Sequence, residues 1–357
     1  LPIIGFAELP PPKEPLSKEM TEAITEVMTQ NQAALKLVHI GAQMTACRYP
    51  IDLTKGRLVK LVHVHKIRSA VNLLILEALL ALERGDSESA VNSVVAGFGV
   101  SRSLRSEPLI ISQLVQYSCQ IRLAKQLERV LARSSPTSEQ LTELESTLTQ
   151  AENPEGLTRA YVGELCNLLS YYRTFTNEYS KPIQSWPTHE QIQEFGWRAL
   201  YYVPIRGFQD YRYRTSGVFE LDVLVALNLR LACIRASQLP FADGLRAAKT
   251  ISDQEMQYSS GGSSFLIMPA EVSGLTTQAR CIAQLRAARG ALILERTRLT
   301  QGRLSDAVDA LLPVDPFTGQ PLRFRKLETG YVVYSVGENG VDDGGEEEKD
   351  ITFRVFR

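Results

Sequence analysis

At 357 residues, with 44% hydrophobic and 22% charged side chains and a formal net charge of -1, the chain is long enough for two domains and has the balance of an ordinary globular protein. That charge excludes a global field able to recruit nucleic acid or anionic lipid, so no nucleic-acid partner is expected. Five cysteines, Cys47, Cys119, Cys166, Cys233 and Cys281, lie far apart without a C-x-x-C pair and read as small buried hydrophobes, a usage that fits a reducing compartment without requiring one.

Residues 1–16, "LPIIGFAELPPPKEPL", lack a helical period and read as an extended, Pro-rich leader. Leaders of this kind often follow signal peptides or membrane anchors, the alternative being a shortened cytosolic protein, so any membrane attachment is expected through a segment upstream of Leu1. Inside the chain the longest nearly apolar run, "VNLLILEALLAL", is too short to span a bilayer and contains Glu77.

From residue 17 to 258 the pattern is helix after helix. Ile67, Ala70, Val71, Leu74, Ile75, Ala78, Leu79 and Leu82 follow the i, i+3, i+4, i+7 spacing. Leu73, Leu76 and Leu80 add apolar groups on the other faces, which predicts a central helix buried nearly all round. It stops at "ERGDSES", where Gly85 suits a left-handed cap and Asp86 or Ser87 can start the next helix. Ala90, Val91, Val94, Val95 and Phe98 repeat the period, so the two helices form an antiparallel hairpin of tetratricopeptide type. No strict repeat follows, and the expected fold is mainly α: an irregular antiparallel helical array.

Further helices are predicted at 107–133, 137–151, 156–179, 188–200 and 217–238, with Ser/Thr caps in "SSPTSEQ" and a capping box, Thr188 with Gln191, in "WPTHEQ". Between the last two, "YYVPIRGFQDYRYRTSG" breaks the period and reads as an aromatic loop laid across neighbouring helices rather than a polymer-binding surface. His63 and His65 would point about 200° apart on a helix and could not share a metal. Gly97 and Gly99 in "GFGVSRS" are expected to end a helix, not to cradle a phosphate. No nucleophile elbow and no G-K-S/T motif are present, so no catalytic residue is assigned.

"SSGGSS", 259–264, reads as a flexible linker to a second unit, 265–357. There Ile282, Leu285, Ala288, Leu292 and Leu299 predict a long helix over 271–300, and "LSDAVDALLP" a short one closed by Pro313. The period then becomes twofold: Leu322 and Phe324 alternate with Arg323 and Arg325, "ETG" turns, "YVVYS" follows, and Ile351, Phe353 and Val355 alternate with Thr352 and Arg354. This predicts a small α+β unit, a three-stranded antiparallel sheet whose one covered face lies on the 271–300 helix.

The loop from Val336 to Asp350 carries Glu338, Asp342, Asp343, Glu346, Glu347, Glu348 and Asp350 among its glycines. Mutual repulsion would fray such a loop unless solvent or a cation separates the carboxylates, and calcium, which takes six to eight oxygens, is the natural counterion. Asn339, Asp342, Asp343 and Asp350 are the candidate ligands, whereas Glu346 to Glu348 read as a solvated run. The EF-hand order of ligands is missing.

The stretch from "TQARCIAQLRAARGALILERTRL" through "LLPVDPFTGQPLRFRK" to "YSVGENGVDDGGEEEKDI" resembles the soluble part of type II secretion major pseudopilins. Asp315, Pro316, Phe317, Gly319 and Pro321 correspond to that family's D-P motif, with Phe317 for the usual Trp and Thr318 inserted. Ser335, Gly337, Gly340, Gly344, Gly345, Asp350 and Ile351 correspond to its terminal loop. The resemblance covers the last quarter of the chain and implies a calcium-binding loop with Asp350 as ligand and Asn339 where the family has Asp. It does not imply a fibre subunit, because the helix carries Arg280, Arg286, Arg289 and Arg296 and follows some 250 residues of another domain.

The whole chain also resembles a planctomycete and acidobacterial protein family sharing "CRYPID", "LLALERGD" and "LIISQLVQ", a likeness that implies no activity. The expectation is a non-catalytic binding or assembly protein of the periplasm or outer-facing envelope, with another envelope protein as partner. The alternatives are a hydrolase acting in the groove of the helical array, and a cytoplasmic location.

Overall fold

A computed structural model describes residues 8–179, 187–198, 200, 216–259, 270–304 and 311–357. Most of "SSGGSS", of the aromatic segment 201–217 and of the short helix expected in "LSDAVDALLP" lies outside the described residues. What is described is mainly helical, with a small antiparallel sheet at its C-terminal end.

The first helices are α1 (Lys18–Gln30), α2 (Gln32–Ala42), α3 (Val62–Glu83) and α4 (Ser87–Arg102). Helix α3 is the expected centre: Val71, Leu74, Ala78 and Leu79 are wholly buried, and further apolar positions are buried around it. It ends where only Gly85 adopts φ near +70°, and Asp86 caps α4 by accepting the Ser89 N–H at 3.0 Å. The short turn folds α4 back along α3.

Gly97 and Gly99, however, lie inside α4 instead of ending it. A Cβ on Gly97 would stand 2.4 Å from the Leu123 side chain, and one on Gly99 would stand 2.4 Å from the Ala42 carbonyl oxygen. These glycines let neighbouring helices approach closely, and the burial of that contact outweighs their poor helix propensity.

Next come α5 (Ile110–Arg133), α6 (Ser138–Ala151), α7 (Gly156–Tyr179), α8 (His189–Phe195), α9 (Val218–Ser237) and α10 (Phe241–Ser259). Capping boxes start α6, through Thr137 and Gln140, and α8, through Thr188 and Gln191. Cys119, Cys233 and Cys281 are buried as expected, but Cys47 and Cys166 are exposed.

The long helix α11 (Ala270–Gln301) joins the two expected units. One side packs on α5 and α6, the other on the sheet. A single buried cluster therefore runs from Leu16 and Ile24 through Leu123, Leu144, Leu285 and Leu292 to Val333, Phe353 and Val355. The helix's arginines make ion pairs to its neighbours. Arg286 and Arg289 reach Glu152 at 3.0 and 3.1 Å, Arg296 reaches Glu145 at 2.8 Å, and Arg280 pairs with Glu338.

The strands β1 (Arg323–Leu327), β2 (Gly330–Ser335) and β3 (Ile351–Phe356) pair antiparallel in the order β1-β2-β3. The register sets Val333 opposite Phe353 and Tyr331 opposite Val355 on the face covered by α11. On the other face stand Arg323 opposite Tyr334, Arg325 opposite Val332, and Arg354 opposite Val332 from the far side. One face is thus apolar and the other carries three arginines around two buried side chains.

Candidate functional site

The expected one-sided sheet is covered on both faces. Val332 and Tyr334 point away from α11 yet are 0% and 4% exposed, because the Val336–Asp350 loop folds back over them. Gly345 lies so close that a Cβ there would sit 3.0 Å from Val332 and 3.2 Å from Tyr334. The long loop is therefore the second cover of a small sheet.

Its entry is anchored by the D-P motif. Asp315, 2% exposed, accepts hydrogen bonds from the Ser335 hydroxyl at 2.9 Å and the Phe317 N–H at 2.9 Å through Oδ1, and from the Val336 N–H at 3.2 Å through Oδ2. The motif's ends are held by a bridge between Val314 and Pro321. These bonds satisfy the buried polar groups where the chain leaves β2.

The arginine face meets much of the acidic charge. Arg323 stands 3.3 Å from Asp342 Oδ2, and Arg354 stands 3.7 Å from Glu347 and donates to the Gly345 carbonyl at 3.4 Å. Lys125 of α5 is 3.8 Å from Glu347, and Lys349 is 2.8 Å from Glu346. The Tyr334 hydroxyl donates to Asp342 Oδ1 at 2.8 Å, and burial together with that carboxylate pushes Tyr334 up to about 12. Burial opposes ionisation of Asp342, but the Tyr334 hydroxyl, the Gly344 N–H and the charges of Arg323 and Arg325 outweigh it and hold the carboxyl below its ordinary value.

The four candidate ligands are thus placed differently. Asp342 is engaged with Tyr334, Gly344 and Arg323. Asn339 donates to Asp343 Oδ2 at 2.8 Å and accepts from the Val341 N–H, so these two are together at the exposed edge. Asp350, 4% exposed, accepts the Gly345 N–H at 2.7 Å through Oδ2, while its buried Oδ1 has no hydrogen-bond partner. Burial, then the charges of Asp343 and Asp342, raise its pKa against the pull of the Gly345 and Asp343 backbone N–H groups. Among the described residues, no group of three or more His, Cys, Asp or Glu side chains is arranged to hold a metal, so an ion here would need carbonyl oxygens as well.

Glu128 of α5 closes the seam on the other side of β3. Its Oε1 accepts the Arg354 backbone N–H at 2.6 Å, capping an edge strand. Burial pushes this carboxyl up to about 7 from an ordinary 4.5, Glu347 adds to the shift, and the Arg354 N–H, Lys125 and the Arg354 guanidinium oppose it. A folded-state value above the unfolded one means that the contribution is complete below pH 4.5 and is lost as pH rises through about 7. Glu128→Gln keeps the acceptor without the charge. It is expected to stabilise the protein by on the order of 2 kcal/mol above about pH 7.5 and to have no effect near pH 4.5. Paired thermal melts would check this, and an equal shift at both pH values would refute it.

The helical array offers a surface cavity of about 590 Å³ between α2, α4 and α6, lined by His39, Glu77, Asn92, Ser93, Glu143 and Gln150. Glu77 Oε2 accepts from the Ser93 hydroxyl at 2.8 Å and lies 2.8 Å from His39 Nε2. The serine thus addresses the carboxylate and not the imidazole, which is not the order an activated nucleophile needs. Strongly shifted groups lie elsewhere: burial raises Tyr117, Cys281 and Tyr331 in the packed interior. His63 and His65 both stand on α3. His63 lies 3.0 Å from the buried Glu107 and stacks on Tyr49 at 4.1 Å, which pins the "CRYPID" segment.

Comparison with protein-family models, with curated proteins and with solved structures gives no match to this chain. The class defined by the fold is therefore the architecture itself: a mainly α-helical protein ending in a small three-stranded antiparallel sheet. Among the described residues no helix is long and apolar enough to cross a membrane.

Proposed function

We propose that this is a non-catalytic, envelope-associated binding or assembly protein whose pseudopilin-like C-terminal unit is rigidified by calcium, with the helical array receiving another envelope protein. The observation that carries the calcium part is the buried Asp350 Oδ1 without a partner, beside Asp343 and Asp342. A buried carboxylate oxygen left unpaired is costly, and a divalent cation would satisfy it. Asp350 and Asp343 would supply the charged oxygens, with Asn339, Asp342 and carbonyls of the glycine-rich turn completing the shell. The bound ion would fix the loop's exit against β3 as Asp315 fixes its entry.

Calcium at a hundred times its dissociation constant is then expected to stabilise the fold by about 2.7 kcal/mol, and Asp350→Asn to abolish the gain. Thermal melts in calcium and in chelator measure this, and superimposable wild-type curves would reject the ion. The binding reading is supported by the open surface cavity of the array, in which the Ser93 hydroxyl bonds Glu77 and not His39. Fractionation of cells producing the native gene product tests the envelope assignment, and recovery in the cytosol alone would overturn it.

A further inference from the structure

The 590 Å³ cavity is one station of a longer groove. Arg102 also lines a second cavity, of about 580 Å³, with Arg105, Arg159 and the exposed Cys47. That cavity shares Pro154, Glu155 and Arg159 with a third, of about 710 Å³, formed where α7 meets the α9–α10 corner. The third presents Val162 and Leu239, 45% and 48% exposed. A polar end, a cationic middle and an apolar end thus follow one another along the surface.

The middle is distinguished by three arginines gathered at one cavity without a carboxylate partner among the described residues. Several guanidinium groups elsewhere meet carboxylates, as Arg133 meets Glu83 and Arg286 meets Glu152. Two that bond neutral oxygens instead, Arg122 to Asn72 and Arg129 to Pro10 and Pro11, are half-buried and buried respectively. Arg102 donates only to neutral oxygens, those of Gln150, Ala42 and Met44, each at 3.4 Å. Arg105 donates to the Gln150 carbonyl at 2.7 Å, and Arg159 to the Arg105 carbonyl at 3.5 Å. The lining carboxylate, Glu155, makes no ion pair with any of them among the described residues. Three positive charges therefore border one cavity against one negative charge, at the positive end of the α7 dipole.

We infer that this groove binds an extended acidic segment of a partner polypeptide, with its carboxylates among Arg102, Arg105 and Arg159 and an apolar side chain against Val162 and Leu239. The inference rests on the binding function proposed above and names its ligand chemistry. Arginine suits the role because its planar fork grips a carboxylate through two parallel bonds. Continuation of the groove on both sides of the charged cavity favours a chain over a small anion.

The test is fluorescence anisotropy of a short fluorescein-labelled peptide of alternating glutamate and leucine, added to the full chain at low salt. Saturable binding is expected, weakening with salt and at least tenfold weaker for Arg159→Glu. Leu239→Asp should weaken it through the apolar end, and a lysine–leucine peptide should not bind. Arg159 is exposed and makes one long hydrogen bond, so its variant should retain the wild-type circular dichroism and melt.

Wild-type affinity in both variants would overturn the pocket while leaving a binding function in place. Displacement by inorganic phosphate as effective as by unlabelled peptide would show a small-anion site and overturn the polypeptide ligand. Absence of any wild-type binding would also overturn it, and the calcium melts would still judge the C-terminal unit separately.

Discussion

Glu295→Ala is expected to destabilise the protein by about 3 kcal/mol, the largest loss expected from a single side chain on α11. Glu295 is 1% exposed, accepts from the Tyr331 hydroxyl at 2.9 Å and from Arg298 Nε at 3.0 Å, and pairs with Arg357 at the chain's end. One carboxylate thus ties the helix to β2 and to the residue after β3. Removing it strands two guanidinium groups and leaves the buried Tyr331 hydroxyl only the Ala291 carbonyl at 3.2 Å, but both arginines are about one-third exposed and recover some solvation, which keeps the loss at the lower end for a broken buried pair. Tyr331→Phe deletes one hydroxyl and should cost only about 1 kcal/mol. Urea denaturation of the two variants measures the contrast, and equal midpoints would sink the network.

The second large effect is expected at Asp315. Asp315→Ala leaves the Ser335 hydroxyl and two backbone N–H groups unsatisfied in a buried turn, each worth about 1–3 kcal/mol, so a total loss of about 3 kcal/mol is expected. Asp315→Asn keeps one acceptor but turns an amide toward the Val336 N–H, and should lose somewhat less. Because the D-P turn holds the loop's entry, Asp315→Ala should also speed proteolysis between Glu338 and Val341, which are exposed in the folded protein. A variant with wild-type stability and a wild-type cleavage rate would show that the turn holds itself without the carboxylate.

Much of the architecture was legible in the chain. The period of 3.6 placed α3 and its burial, the "ERGDSES" punctuation placed the α3–α4 hairpin, and 156–179 holds as a helix to its ends. The twofold period placed all three strands, and the helical period of 271–300 placed the helix that covers them. Local pattern succeeds there because each element's own sequence fixes which face must leave water. It failed at Gly97 and Gly99, whose presence inside a helix is explained by Leu123 and Ala42, distant in sequence.

The candidate site divides in the same way. The sequence alone determined that Arg323, Arg325 and Arg354 share a face opposite Phe324, Phe353 and Val355, since side chains alternate along a strand. Only the tertiary structure decided that the acidic loop would lie back on that face, so that protein cations meet much of the charge assigned to a metal ion and a single oxygen of Asp350 is left without a partner. Likewise Glu128, Glu295 and the unpaired groove arginines acquire their roles from groups tens to hundreds of residues away. Periodicity records the solvent that each residue avoids. The partner of a charge is fixed by packing across the fold, because electrostatic energy depends on distance in space and not along the chain.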